Sequence, residues 1–244
     1  MGNQPANRPL RTQGQGGPLV WLLSLVFGAA VSIIGSLTVG TLIEWVGMHL
    51  WWADQGVGHS RDMVSEDLGY LAEYRRSLLT DDTVAFAASW ADAATNAASA
   101  IGVVRLIRKA SKPEAMHGTG AEGRTRQIVR SAAPYLTAMV YVWQDAVIRL
   151  AIVYLALPAF AIAFLIGLVD GLGRRDVRKW CGGRESSFVY HHAKRLLWPA
   201  FTFGFFVYLT WPTGGFNPAW AVLPFCAVSA CTVSLMAATF KKYL

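Results

Sequence analysis

The chain has 244 residues, of which 54% are hydrophobic and only 15% charged, against about 25% charged in an ordinary soluble domain. Charged residues are absent from Pro18 to Ile43, from Ala151 to Val169 and from Leu196 to Phe240, and such runs match the ~30 Å hydrocarbon core of a bilayer. The pattern excludes a soluble globular domain, so the formal net charge of +7 has to be read by location rather than in sum.

Residues 1–18 form a tail with Arg8, Arg11 and no acid, followed by a first span over 19–43. Cations before an apolar run suit a secretory signal. This run, however, is about ten residues longer than a signal core and lacks an A-x-A site, so an uncleaved anchor is expected. Gly28, Ser32, Ser36 and Gly40 lie four apart on it. Rows of small residues at this spacing let helix backbones approach in lipid.

Residues 44–147 follow as a region outside the membrane. Between Glu44 and Arg149 there are 11 basic and 12 acidic residues, nearly neutral. Ser65-Glu66-Asp67 reads as a helix start, with Leu68, Leu71, Leu78 and Leu79 behind it. Thr80-Asp81-Asp82 reads as the cap of a second helix, with Phe86, Trp90, Ala94, Ala97, Ile101 and Val104 marking one face. The two suggest a helical hairpin. Val84–Val104 as a fifth span is the rival reading; Asp92 and Asn96 in its middle weigh against it. A loop over Ser111–Gly123 comes next. The three cysteines, Cys181, Cys226 and Cys231, all lie beyond this region, so no disulfide supports it.

Ala132–Val169 as one helix would run about 57 Å, nearly twice the membrane core. Its first part is therefore expected to stand outside, with the second span at 148–169. Asp145 and Arg149, at i and i+4, are expected to form an interfacial ion pair, with a conducting or proton-handling role as the alternative. Ala159, Ala163 and Gly167 form a second small-residue row, and Pro158 predicts a packed kink.

Residues 170–195 form a basic loop, with seven cations against three carboxylates, net +4. A third span at 196–211, a turn at 212–218 rich in proline and glycine, a fourth span at 219–240 and a tail at 241–244 complete the chain. Cys226, Ala230, Ser234 and Ala238 form the row on the last span. The positive-inside rule places both termini and the 170–195 loop in the cytoplasm, and 44–147 in the periplasm of a bacterium. Trp21, Trp45, Trp143, Trp198, Trp211 and Trp220 fall near the span ends, where aromatic belts form. The expected fold class is thus an all-α integral membrane protein: four transmembrane helices with a helical periplasmic insertion between the first and second.

The densest polar stretch is GRESSFVYHHAKRLLWP, Gly183–Pro199, on the cytoplasmic approach to the third span. Adjacent His191 and His192 point about 100° apart on a helix and lack the four-residue spacing that lets two histidines share a metal. No orienting group or oxyanion motif accompanies the serines, as nucleophilic catalysis requires. No cofactor, metal or catalytic residue is expected. Glu185, Phe188, Tyr190, His191, His192, Lys194 and Arg195 read instead as an interfacial helix that meets a partner or anionic lipid.

The arrangement of an anchor span, a large outer segment and a cytoplasmic GRESSFVYHHAKR leading into a final hairpin resembles the integrating-conjugative-element inner-membrane protein family. Its most specific part is Glu185–Arg195. The resemblance implies a process, conjugative DNA transfer, and a neighbourhood, the type IV coupling ATPase and secretion channel. It implies no enzymatic activity and assigns no residue a role. The expectation is a non-enzymatic accessory component that packs against the coupling ATPase or other conjugation membrane proteins, with homo-oligomerisation left open. A small oligomeric channel or transporter is the alternative. At +4 the loop makes a weak case for direct DNA binding, because phosphate-tracking surfaces present more cations.

Overall fold

The structure, a computed structural model, describes residues 18–74, 76–111, 121–181, 203–214 and 216–239. All secondary structure among them is helical. α1 (Pro18–Leu50) has proline at its first position, where no amide hydrogen is needed, and runs about 50 Å. It closes where the Gly47 carbonyl accepts from the amides of both Trp51 and Trp52. The helix thus continues past the expected end of the first span, because Glu44 is buried in it rather than solvated at a boundary.

α2 (Val57–Glu73) starts after Gly56, whose φ of 52° suits glycine, and buries Ser60, Met63, Asp67 and Leu71 on one stripe. The helix start expected at Ser65 is therefore corrected: Ser65 lies mid-helix and its hydroxyl donates back to the Asp62 carbonyl. Its oxygen can satisfy an interior turn as readily as a cap.

α3 (Thr83–Ala100) begins at the expected cap, where the Asp82 carboxylate accepts from the Ala85 amide at 3.0 Å. Its buried face is Thr83, Ala87, Ala91, Ala94 and Ala98. The face expected from Phe86 to Val104 is corrected, since Ala97 and Ile101 are exposed. Small side chains let α3 lie close on its neighbour, while the larger Phe86 and Trp90 flank the seam. Gly102, at φ 87°, ends this helix and admits α4 (Val103–Ala110).

α5 (Ala121–Leu155) is the spine, against which α1, α2, α3 and α4 all pack. The central core joins Leu71 of α2 and Ala87 and Ala91 of α3 to Ile148, Ala151 and Ile152 of α5. α1 runs antiparallel to the spine: Gly40 faces Val142, and the Trp45 indole donates to the Tyr135 carbonyl at 2.9 Å.

α6 (Leu157–Trp180) follows after a single residue, Ala156, whose backbone stays right-handed at φ −80° and ψ −6°. Pro158 supplies no amide hydrogen, so the rod is interrupted there without reversing. The expected span 148–169 straddles this interruption, and α6 continues past 169 to Trp180 with Arg174, Arg178 and Lys179 on it. α7 (residues 203–210) and α8 (Pro218–Thr239) complete the described chain, with Asn217 Oδ1 capping α8 through the Ala219 amide at 2.9 Å.

Among the described residues, four helical stretches are long and apolar enough to cross a membrane: Val26–Leu50, Gln127–Leu155, Leu157–Trp180 and Pro218–Thr239. They are covered differently. Half of the α5 window is buried inside the protein, against 17% for α6 and for α8. The apolarity of α5 is absorbed by α1–α4, whereas α6 and α8 turn Ile162, Leu165, Ile166, Leu223 and Val228 outward. α3 is not among the four, and packs on α5.

Candidate functional site

The most constrained polar site lies where the spine meets α2 and the turn between α7 and α8. Arg149, on α5, is 2% exposed and fully engaged. Its Nε donates to Asp67 of α2 at 2.8 Å and faces Asp145, one turn back, at 3.0 Å. Its terminal nitrogens donate to the carbonyls of Tyr208 at 3.2 Å, Trp211 at 2.6 Å and Thr213 at 3.3 Å. The carbonyls at the end of α7 lack intrahelical donors, and a guanidinium fork satisfies several of them while holding two carboxylates. The site thus clamps three elements in one register. Gly214 sits against Met63 and Glu66 of α2, so a side chain there would push the turn away.

The expected pair Asp145–Arg149 is present but is enclosed by protein on every side, with Asp67 as a third member. Asp67, which the sequence places in the first turn of a helix starting at Ser65, lies instead at mid-helix and is buried. A signal existed: it falls on the Met63–Asp67–Leu71 stripe, where a charge is out of place unless something buried meets it. A second buried contact lies on the α1–α2 corner. Glu44 faces His59 Nδ1 at 3.1 Å, and Trp52 stacks on the His59 ring at 4.0 Å between centroids.

The small-residue rows of α6 and α8 meet each other, whereas that of α1 lies against α5. Ser32 and Ser36 are buried, Gly28 is half-buried, and Gly40 faces Val142. On α6, Ala163 and Gly167 are buried, while Ala159 is exposed. α6 and α8 run parallel: a side chain at Gly167 would strike the backbone of Ala230, and one at Gly171 that of Ser234. The seam ends in polar ties. The Ser234 hydroxyl donates to Asp170, which pairs with Arg174 at 2.9 Å, and Arg178 donates to the Ala238 carbonyl.

Glu185, Phe188, Tyr190, His191, His192, Lys194 and Arg195 lie outside the described residues, as do the first part of the third span and both tails.

These features define the class: among the described residues the protein is all-helical, with four helices apolar enough to cross a membrane, braced by a polar clamp. Residues 51–241 match the family of IncC plasmid conjugative DNA transfer proteins described as DtrJ-like, and the chain belongs to that family. Its role accordingly lies in conjugative DNA transfer. No curated protein and no solved structure matches it.

Proposed function

We propose that this protein is a non-enzymatic accessory component of the conjugation machinery, embedded in the bacterial inner membrane. There it packs against the type IV coupling ATPase or the secretion channel. The observation that carries this reading is the family match across residues 51–241, in a chain whose α6 and α8 turn continuous apolar faces outward. In the proposed orientation both termini and the 170–195 loop are cytoplasmic, and α2–α4 with most of α5 are periplasmic. The resemblance carried by Glu185–Arg195 points to an integrating element and to the coupling ATPase as partner, with Lys194 and Arg195 against anionic lipid. The channel reading gains nothing from Arg149, because each nitrogen of its guanidinium donates to a protein oxygen and the side chain is buried.

The test is affinity capture of the tagged protein in nanodiscs from cells carrying the whole conjugative element. A His191→Ala/His192→Ala variant is run beside it, with the captured proteins identified by mass spectrometry. Recovery of the coupling ATPase, reduced in the variant, is the expected result. A protein captured alone or only with itself would defeat the proposal.

A further inference from the structure

The α2–α3 hairpin points its tip at a definite height on the spine. α2 descends beside α5, with Asp67 at Arg149 and Leu71 packed with Ile148 and Ile152. α3 climbs back, with Phe86 stacked on Tyr154 at 5.5 Å between centroids and Thr95 bonded to Gln144. The reversal at residues 74 and 76–82 therefore lies beside the C-terminal end of α5, where Ala156 and Pro158 lead into α6. α8 starts at the same height: Val153 and Phe160 share a cavity with Ala221, Val222 and Phe225.

This tip carries apolar side chains that its own fold does not use. Leu78 is 85% exposed, Tyr74 65% and Leu79 44%. The hairpin is closed without them: the Thr83 hydroxyl serves the carbonyls of Leu71 and Tyr74, and the Ser77 amide donates to Thr80. Above the tip, the outer faces of α2 and α3 show Arg61, Asp62, Glu66 and Asp92 to solvent. Below it, α6 and α8 show Ile162, Leu165, Ile166, Leu223 and Val228. At the height of the tip itself, Tyr154 and Trp220 are exposed, the residue types that gather at a bilayer rim. On the side formed by α2, α3, α6 and α8, the change from charged to apolar surface thus runs through the tip, whereas on α1 Leu42, Val46 and Leu50 carry exposed apolar surface above it.

We infer that Tyr74, Leu78 and Leu79 dip into the headgroup and upper acyl region of the phospholipid bilayer, making the hairpin a second, interfacial anchor. Exposed Arg76 stands beside them at phosphate level. The anchor would hold the spine upright on the membrane and keep the Arg149 clamp at a fixed distance from it. The inference rests on the reading that α6 and α8 span the membrane, and its test separates the two.

The full chain, with Cys181→Ala, Cys226→Ala and Cys231→Ala, is given one new cysteine at a time and labelled with a polarity-sensitive fluorophore. The positions are Leu78→Cys on the tip, Val169→Cys on α6 and Asp92→Cys on α3. Each is reconstituted into phosphatidylethanolamine/phosphatidylglycerol vesicles containing lipids with a nitroxide near the headgroup or deep in the acyl chain. The expected result at Leu78 is blue-shifted emission with the greater loss of intensity from the headgroup nitroxide. Val169 should be quenched from within the acyl region and Asp92 by neither. Emission at Leu78 like that at Asp92, with Val169 quenched, overturns the anchor while the span stands. Blue-shifted but unquenched emission at Leu78 also overturns it, because protein such as a second copy then covers the tip. An unquenched Val169 overturns the span and the anchor together.

Discussion

Arg149 is the most exposed of these interactions to a decisive substitution. Arg149→Met keeps the volume and the helix propensity but removes the cation that, among the described residues, faces Asp67 and Asp145. At about 3 Å and an effective dielectric constant near 20, each pair is worth roughly 5 kcal/mol of Coulomb attraction before desolvation is charged against it. Without the guanidinium, two buried carboxylates face each other and three carbonyls lose their donors. Deleting one partner of a buried pair costs about 3–5 kcal/mol, and that is the expected loss. Asp145→Asn should behave otherwise. It leaves one carboxylate to one guanidinium, and a cost within about 1 kcal/mol is expected, since two carboxyl groups share a single guanidinium. Replacing all three with Asp67→Leu, Asp145→Leu and Arg149→Met should recover much of the stability, because apolar groups of similar volume carry no desolvation debt. The assay is denaturant unfolding in mild detergent followed by far-ultraviolet circular dichroism. An Arg149→Met protein within about 1 kcal/mol of the parent would refute the clamp. So would an Asp145→Asn protein as damaged as Arg149→Met.

Other seams respond to single substitutions. Gly167→Val places a side chain into the Ala230 backbone and should cost about 1–3 kcal/mol by forcing α6 from α8. Gly173→Ala, with open space at that position, should be neutral or stabilising by up to about 1 kcal/mol; comparing melting temperatures of the two in detergent checks both. Thr83→Val removes the donor for the Leu71 and Tyr74 carbonyls and should cost about 1 kcal/mol, read as faster amide hydrogen exchange around the hairpin tip. Ala91→Leu overfills the contact of α3 with the spine and should cost about 1–3 kcal/mol, while the equivalent change at exposed Ala97 should leave the unfolding midpoint unchanged.

What the sequence determined by itself is local. Uncharged runs fall on α1, α6 and α8, because a polar backbone in lipid has to close its own hydrogen bonds. α5 is as long and apolar but carries Arg130, Asp145 and Arg149, and the expected span at 196–211 is not among the four. Asp82 announced the start of α3, since a cap acts through an amide three residues away. Four-residue spacing likewise brought Asp145 beside Arg149 on one helix face. Tertiary structure decided everything that depends on a partner surface. Ser65, a cap by its neighbours, became a helix interior because α2 needed eight earlier residues to bury Ser60 and Met63. The buried face of α3 fell on alanines rather than on Phe86 and Trp90, because close approach to α5 favours small side chains over apolar bulk. Asp67 joined Arg149 from 82 positions away, a distance no spacing rule spans. The division of the long apolar rod into a protein-covered α5 and an outward-facing α6 is of the same kind. An apolar side chain gains by leaving water whichever surface covers it, so its identity is silent on whether that surface is lipid or protein.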